Sequence, residues 1–352
     1  MTIHFIIPGD PEQQTGGYIY NLKIIEGLSA RGYKVLVHNP GNDFPFPGER
    51  SLQRSAAIFS RIAPAEPVII DSLALGPMEE IIQDHKGRKP MISLVHLPLF
   101  MNPVFSDRQK AVFRKKEESA LREMIMNIAV SAHTKEIIMN SGIDGSLIKV
   151  VRPTAEGNDR KRRYPAVPEK LLCIANYTRN KGFHTLLEAL GGVREKPWTL
   201  ECYGNKKMGA GYVPELEEMI KRGKLDERIF LNDSLPHEAL SDVYLSADLF
   251  ILPSEYESYP MVLAEALVHG IPVIAAGAGG IGELVPEGAG MLFKPGSSES
   301  LTEVVNQVLT DHKIYSNMCS AASKAFEFFS PWQNKVDIFE QELQSVISEF
   351  QP

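Results

Sequence analysis

The first half of the chain alternates short apolar runs with longer stretches in which apolar residues recur at helical spacing. The apolar runs predict strands at Ile3–Ile7, Lys34–His38, Val68–Asp71, Met91–His96, Asn127–Ser131 and Ile148–Val151. The stretches between them predict helices at Tyr18–Arg31, Ser51–Ala63, Asp107–Met126 and Thr134–Asn140. Because apolar strands separated by helices form parallel sheets covered on both faces, this half is predicted to be a doubly wound α/β domain.

A polar, proline-rich stretch from Pro153 to Pro168 interrupts the alternation. It contains the basic run Arg160–Arg163 and has no apolar period. Such a composition is typical of an exposed connection between domains. We interpret the basic run as part of a solvated linker, and contact with an anionic acceptor is the alternative.

The alternation resumes after this connection. Strands are predicted at Lys170–Ala175, Trp198–Tyr203, Arg228–Leu231, Asp248–Leu252, Pro272–Ala276 and Met291–Phe293. Helices are predicted at Gly182–Leu190, Pro214–Arg222, Pro236–Ser246, Pro260–His269 and Ser297–Thr310, then in a stretch that reaches Phe329 and in one from Pro331 to Phe350. The sequence thus predicts two Rossmann-like domains, residues 1–160 and 161–330, with a terminal helix at about 331–352 packing back on the first. Because such sheets bind ligands at the carboxyl ends of their strands, we expect the two domains to face each other across a ligand cleft.

Composition narrows the function classes. With 44 acidic and 37 basic residues the formal net charge is −7, which argues against a nucleic-acid partner. The three cysteines, Cys173, Cys202 and Cys319, are widely spaced, so we expect no disulfide framework and a reducing, cytoplasmic location. We expect no secretory signal at the amino terminus, and no apolar run approaches the ~20 residues needed to cross a bilayer.

The most informative stretch runs from Pro253 to Gly270. A buried strand leads into a loop that contains Glu257, and a helix begins near Pro260. The first amides of a helix form a natural anion site, here those of Tyr259, Met261 and Val262. Carboxylates beside such a site need an uncharged partner, so we expect Glu257 to bind sugar hydroxyls and Glu265 a ribose. The alternative is a carboxylate that only complements the helix dipole.

This stretch resembles the donor-binding segment of the retaining GT-B glycosyltransferases of family 4, in which two glutamates separated by seven residues occur in the same context. The segments Gly270–Val285 and Gly288–Gly296 are similar to the strand and the glycine-rich turn that follow in that family. The resemblance implies a GT-B fold with an acceptor-side first domain and a second domain that binds the nucleotide sugar. It also implies retaining transfer of a hexose-type sugar from a nucleotide-diphosphate sugar. The implied donor-binding residues of the stretch are Glu257, Ser258, Tyr259, Pro260, Met261, Val262 and Glu265.

The loop from Ala175 to Gly182 carries a second part of the resemblance. In the family this loop supplies an arginine and a lysine that clamp the donor diphosphate. Lys181 matches the lysine, whereas Asn176 stands where the arginine usually follows the strand. We expect Arg179 to take over that charge or Lys181 to carry it largely alone. Cations at an exposed helix start are the alternative, although such cations oppose the helix dipole unless an anion is present.

Two features of the first domain complete the predicted site. Gly16 and Gly17 follow the first strand and permit close backbone approach to a ligand, and in the family a Gly-Gly loop at this position faces the donor phosphates. His96 ends a strand at the carboxyl edge and matches the family's histidine near the donor sugar. The alternatives are a simple turn and a hydrogen-bonded structural imidazole. With His96, Lys181 and Glu257 as the catalytic residues, the resemblance implies a hexosyltransferase.

No Asp-x-Asp motif occurs in the sequence, so we expect no metal and no cofactor beyond the nucleotide-sugar substrate. The acceptor is not identified, and a glycan, a lipid carrier and a small molecule stay open, as do peripheral membrane contact and the oligomeric state. Three alternatives to a retaining transferase also stay open on this fold. They are an inverting transferase, a nucleotide-sugar epimerase and a catalytically silent subunit.

Overall fold

The chain folds into two compact units in the computed structural model, which describes residues 1–10, 13, 15–157 and 164–350. The first unit comprises Met1–Pro153 together with Trp332–Pro352, and the second comprises Thr154–Pro331. The division thus falls before the predicted boundary at 160/161. The basic run Arg160–Arg163 lies outside the described residues.

The first unit is built on a six-stranded parallel sheet. Its strands are β1 (Thr2–Ile6), β2 (Lys34–His38), β3 (Val68–Asp71), β4 (Met91–Val95), β5 (Met126–Ala129) and β6 (Ile148–Val150), in the order β2-β1-β3-β4-β5-β6. Its helices are α1 (Gly16–Ala30), α2 (Glu49–Arg61), α3 (Ser72–Leu75), α4 (Glu79–Asp84), α5 (Asp107–Arg122), α6 (Ala132–Asn140) and, from the end of the chain, α13 (Trp332–Glu349).

The second unit repeats the architecture. Its strands are β7 (Lys170–Ile174), β8 (Thr199–Tyr203), β9 (Ile229–Asn232), β10 (Leu249–Leu252), β11 (Val273–Ala276) and β12 (Gly290–Phe293), in the order β12-β11-β10-β7-β8-β9. Its helices are α7 (Phe183–Gly191), α8 (Val213–Gly223), α9 (His237–Ser246), α10 (Met261–Val268), α11 (Ser298–Thr310) and α12 (His312–Ala322). Among the described residues of either unit, no helix combines the length and apolar character required to span a membrane.

The burial of the strands explains why these segments are so apolar. Every residue of β3, β4, β10 and β11 is buried. The edge strands β2, β9 and β12 leave several side chains partly or fully exposed. Central strands are covered by helices on both faces and therefore need apolar residues throughout, whereas edge strands do not. The predicted doubly wound fold class is confirmed.

Two predictions about elements in the first unit need correction. The helix predicted at Asp107–Met126 ends at Arg122, and Met126 instead begins the buried strand β5. The short helices α3 and α4, which lie between β3 and β4, were not predicted. Elements of four and six residues are too short to show a helical period in the sequence.

Helix α13 packs on α1 within the first unit. The ring of Trp332 meets that of Tyr20 edge-on at 5.8 Å, and the Tyr33 hydroxyl donates to Glu340 Oε1 at 2.6 Å. A Cβ placed on Gly27 of α1 would lie 2.4 Å from Val336 of α13. The last helix of the chain is therefore part of the core of the first unit.

Candidate functional site

The predicted donor loops lie at the topological switch point of the second sheet. From β7 the chain winds outward through β8 and β9, and from β10 it winds the other way through β11 and β12. Ligands of open α/β sheets bind where the winding direction reverses, at the carboxyl ends of the two adjacent strands. The loops that follow β7 and β10 are Ala175–Gly182 and Pro253–Pro260, which contain Lys181 and Glu257.

A close backbone approach holds these two loops together. Gly182 has φ +69°, and a Cβ on it would lie 2.2 Å from the carbonyl oxygen of Pro253. The Glu255 amide donates to the Asn180 carbonyl at 2.9 Å. Only glycine fits this position, because any side chain would meet both an unfavourable φ and a backbone clash.

Lys181 and Glu257 form the centre of the candidate site. Lys181 Nζ lies 2.5 Å from Glu257 Oε1, and the two side chains are 23% and 16% exposed. The glycine-rich turn after β11 supports this pair, since the Gly280 amide donates to the Glu257 carbonyl at 2.8 Å. Three loops from adjacent strands thus converge on one ammonium–carboxylate pair.

Helix α10 begins directly beside this pair. Pro260 is the residue before the first helical position, so the amides of Met261 and Val262 fall in the first turn, where a helix offers no acceptor of its own. Ser258 is buried, and Tyr259 and Val262 pack against the core of the second unit. The site therefore combines a cation, the positive end of a helix and a carboxylate, which suits a ligand that carries both phosphate and hydroxyl groups.

Glu265 lies on the buried side of α10. Its carboxylate is almost covered and accepts a hydrogen bond from the Tyr244 hydroxyl at 2.7 Å. Burial raises the pKa of Tyr244 well above its ordinary value, and the charge of Glu265 adds to the effect, so the hydroxyl stays a donor. Tyr244 was not predicted, because nothing in the spacing of α9 shows which of its residues faces α10.

The structure directs Arg179 away from the Lys181–Glu257 pair. Its guanidinium forms an ion pair with Glu215 and lies 5.1 Å from the centroid of the Tyr212 ring, with the side chain 64% exposed. Asn176, at the family's arginine position, accepts a weak hydrogen bond from the Asn205 amide at 3.4 Å. Lys181 is thus the one predicted cation that the structure brings to Glu257.

The predicted residues of the first unit also come together. Gly16 is the first residue of α1, and a Cβ on Gly17 would lie 3.3 Å from the His96 ring. His96 Nε2 lies 2.9 Å from Asn21 Oδ1 and 3.4 Å from Asp71 Oδ2.

Asn21 and Asp71 were not predicted, although two signals were present. Asp71 is the last residue of an apolar strand, and Asn21 stands four residues after Gly17 on the same face of α1.

The surroundings of Asp71 keep its carboxylate ionised. Burial raises its pKa, but the hydrogen bonds from His96, the Leu73 amide and Asn21 outweigh burial, so the pKa lies below its usual value. This buried carboxylate therefore stays charged at neutral pH and acts as an acceptor only.

Comparison with known proteins identifies the second unit. Residues 156–325 match the family described as glycosyl transferases group 1. A D-inositol 3-phosphate glycosyltransferase of Corynebacterium kroppenstedtii is 28% identical over 247 residues, which cover 64% of this chain and 55% of that protein. The chain spans about half, or less, of the length of the curated relatives it matches.

Solved structures match nearly the whole chain. The sucrose-phosphate synthase of Thermosynechococcus elongatus has a TM-score of 0.82 at 18% identity and covers 99% of each chain. The Anabaena protein Alr3699/HepE, in complex with UDP and glucose, has a TM-score of 0.78 at 20% identity and covers 98% of this chain and 100% of that one. The fold is GT-B, as the resemblance implied.

Proposed function

We propose that this chain, whose residues 156–325 match the glycosyl transferases group 1 family, transfers a hexose-type sugar from a nucleotide-diphosphate sugar to an acceptor hydroxyl, with retention of configuration. The observation that carries the proposal is the Lys181–Glu257 pair at the switch point of the second sheet, beside the first turn of α10. Both residues lie within the segment that matches the family.

Each part of the site has a role in this reaction. Cleavage of the sugar–phosphate bond develops negative charge on the diphosphate, which Lys181 and the amides of Met261 and Val262 stabilise. Preorganised donors of this kind contribute about 3–4 kcal/mol each where charge develops. Glu257 binds a hydroxyl of the transferred sugar, and Glu265 binds the ribose.

The ion pair itself prepares the site for the donor. Without a ligand, Lys181 and Glu257 neutralise each other at 2.5 Å. A nucleotide sugar offers the ammonium a diphosphate and the carboxylate a hydroxyl, so binding replaces one internal contact with two external ones. A free phosphate would leave the carboxylate without a partner, and half-buried charges without a partner are unfavourable.

The remaining roles rest on the resemblance. Gly16 and Gly17 let the backbone approach the donor phosphates, and His96 contacts the transferred sugar. In the retaining reaction the acceptor attacks from the side of the leaving group. Lys181 and the helix amides neutralise the diphosphate, so the reaction proceeds without a metal.

One observation favours a second candidate, a catalytically silent subunit that only binds nucleotide. Arg179 pairs with Glu215 rather than approaching Glu257, so the clamp holds one cation where the family uses two. Slow hydrolysis of a donor by the purified chain would contradict this candidate.

The acceptor is left unassigned. Peripheral contact with a membrane surface through α5, where Arg108 and Lys115 are exposed, stays open and is not favoured.

The first test is a thermal-shift screen against UDP, GDP and ADP. A ligand at a hundred times its Kd stabilises the folded state by about 2.7 kcal/mol, which gives a clear rise in Tm. UDP is the first choice, because the neighbour HepE was solved with it. We expect one diphosphate to raise the Tm of the chain and to have no effect on the Lys181→Ala variant.

The same screen can overturn the proposal. If none of the three nucleotides changes the Tm, the chain lacks the proposed donor site. Where one binds, NMR of the product formed from the matching donor sugar gives the anomeric configuration, and an inverted product would refute retention.

A further inference from the structure

We propose that Asp71, acting through Asn21, fixes the neutral form of His96 in the tautomer protonated at Nε2, so that in this form Nδ1 is left as a hydrogen-bond acceptor for a hydroxyl group of the bound ligand. Asp71 and Asn21 are positioning residues in this scheme. That the ligand is the donor sugar rests on the proposed function, whereas the tautomer does not.

The ionised carboxylate of Asp71 determines which group donates and which accepts in these hydrogen bonds. Its ionised carboxylate can only accept, and Oδ2 lies 2.7 Å from the side-chain nitrogen of Asn21. The amide of Asn21 must therefore turn its NH₂ group toward Asp71. The opposite orientation would place two oxygen acceptors against each other.

The same orientation determines the state of His96. With its nitrogen on Asp71, Asn21 presents its oxygen to His96 Nε2 at 2.9 Å. This oxygen only accepts, so Nε2 must carry the proton. Asp71 Oδ2, at 3.4 Å from the same nitrogen, favours the same tautomer.

The surrounding structure holds the three side chains in place. Asn21 and Asp71 are 2% and 9% exposed. Asp71 Oδ1 also caps α3 by accepting from the Leu73 amide at 2.8 Å, so the carboxylate cannot rotate away without losing that bond. The Tyr20 ring meets the imidazole edge-on at 5.4 Å, which limits its rotation.

The atom left for a ligand is Nδ1. None of the residues that the structure describes hydrogen-bonds to it, and His96 stands at the carboxyl end of β4, the edge at which such sheets bind ligands. An unprotonated Nδ1 accepts a hydrogen bond from a hydroxyl group. A phosphate oxygen is an acceptor as well, so the neutral imidazole selects a sugar hydroxyl and disfavours phosphate.

The substitution Asp71→Asn tests the hydrogen bonds that link residue 71, Asn21 and His96, because it exchanges donor and acceptor in each of them. An asparagine retains the cap on α3 but presents NH₂ where Oδ2 was. Asn21 must then turn its oxygen to residue 71 and its NH₂ to His96, so Nε2 becomes the acceptor. We expect the tautomer of His96 to switch from Nε2–H in the wild type to Nδ1–H in the variant.

The measurement is the ¹⁵N spectrum of histidine-labelled protein, with the His96 signals assigned by their loss in His96→Gln. Asp144→Asn is the matched control. Asp144 also caps a short helical turn, by accepting from the Ser146 amide two positions on at 2.9 Å. Within the described part of the chain, no hydrogen bond or ion pair joins Asp144 to a histidine. A wild-type His96 protonated at Nδ1, or an unchanged tautomer in Asp71→Asn, would overturn the proposal.

A second readout connects the tautomer to the ligand. With UDP-glucose as the probe, we expect Asp71→Asn to lower kcat for donor hydrolysis by about tenfold or more, because the wrong histidine tautomer offers the ligand a donor in place of an acceptor. The KM should change little, since the proposed function assigns UDP binding to residues of the second unit. Wild-type kcat in a variant whose tautomer has switched would refute the role of Nδ1. Absence of UDP binding in the wild type would instead count against the proposed function.

Discussion

The ion pair between Lys181 and Glu257 is the residue-scale feature on which the proposed reaction depends most. We expect Lys181→Ala and Glu257→Ala each to reduce the rate of donor consumption by about a hundredfold or more, because each removes a preorganised contact to the reacting group. Single-turnover kinetics with the donor identified by thermal shift would measure this. Circular dichroism would verify that both variants fold.

A second ion pair in the same unit provides the control for that experiment. Arg222 and Glu218 are one turn apart on α8, 3.4 Å from each other, and both side chains are mostly exposed. Exposed pairs of this kind contribute at most about 1 kcal/mol. Arg222→Ala should therefore leave the rate unchanged, and near-normal turnover in Lys181→Ala would contradict the assigned role.

Glu117 gives a prediction about pH. Burial raises its pKa to about 8, against the hydrogen bonds from the Leu99 and Phe100 amides and the charge of Arg114, all of which lower it. An acid whose folded pKa lies above its unfolded value loses stability as pH rises between the two. The contribution of Glu117 to the free energy of unfolding should thus fall from about pH 4.5 to about pH 8.

Denaturant titrations of Glu117→Gln across this range would measure the effect. The glutamine cannot ionise, so the fall with pH should become smaller in the variant. Glu136→Gln, which alters an exposed carboxylate on α6, should leave the pH dependence as in the wild type. An identical slope in Glu117→Gln and the wild type would contradict the prediction.

Residues of the candidate site differ in how well the sequence predicts them. The strand–loop–helix pattern and the resemblance to the family predicted Lys181 and Glu257, each in a loop at the carboxyl end of a strand. That the two loops meet depends on β7 and β10 being neighbours, which is a property of the strand order. Asn21 and Tyr244 act through contacts between separate helices and strands, which spacing along one element does not determine. The side chain of Arg179 pairs with Glu215 of α8, a contact that spacing within its own loop does not determine.

At the scale of elements, the packing of α13 on α1 leaves no room at Gly27. A methyl group there would lie 2.4 Å from Val336 Cγ2. Alanine favours a helix by about 1 kcal/mol over glycine. Overpacking costs about 1–3 kcal/mol. We therefore expect Gly27→Ala to lower the free energy of unfolding of the first unit.

A double-mutant cycle with Val336→Ala would measure this contact. The smaller residue on α13 creates the space that the added methyl group needs, so the double variant should be more stable than the sum of the single effects predicts, by about 1 kcal/mol or more. If the effects of the two substitutions on the free energy of unfolding are instead additive, the two helices can move apart at Gly27 without a loss of stability. The Val336→Ala variant alone measures the free energy lost to the cavity that the smaller side chain leaves.

Element boundaries show where sequence patterns lose information. The apolar residues before Met126 continue the helical spacing of α5, so spacing alone does not indicate that the helix ends at Arg122. Strand β5 begins at Met126 because its residues pair with β4, a contact between distant parts of the chain. Central strands were predictable because burial on both faces requires apolar residues throughout.

At the scale of the whole molecule, the chain leaves the first unit at Pro153 and returns to it at Trp332. The doubly wound class of both units follows from the alternation of strands and helices. That the terminal helix packs on α1 depends on matching side chains such as Gly27 and Val336. Such a match is invisible in the pattern of either helix alone.

Removal of residues 332–352 tests this organisation. The deletion removes four buried side chains and exposes the surface of the first unit that covers them. They are Trp332, Val336, Phe339 and Leu343. At about 2 kcal/mol per buried side chain, the loss is roughly 8 kcal/mol. A domain is stable by only about 5–15 kcal/mol, so the first unit should lose its cooperative transition in calorimetry.

The second unit keeps its own core and the segment that matches the family, and UDP should still raise its Tm. Calorimetric transitions that the deletion leaves unchanged would show that α13 contributes nothing to the first unit, and loss of both transitions would show that the two units do not unfold independently.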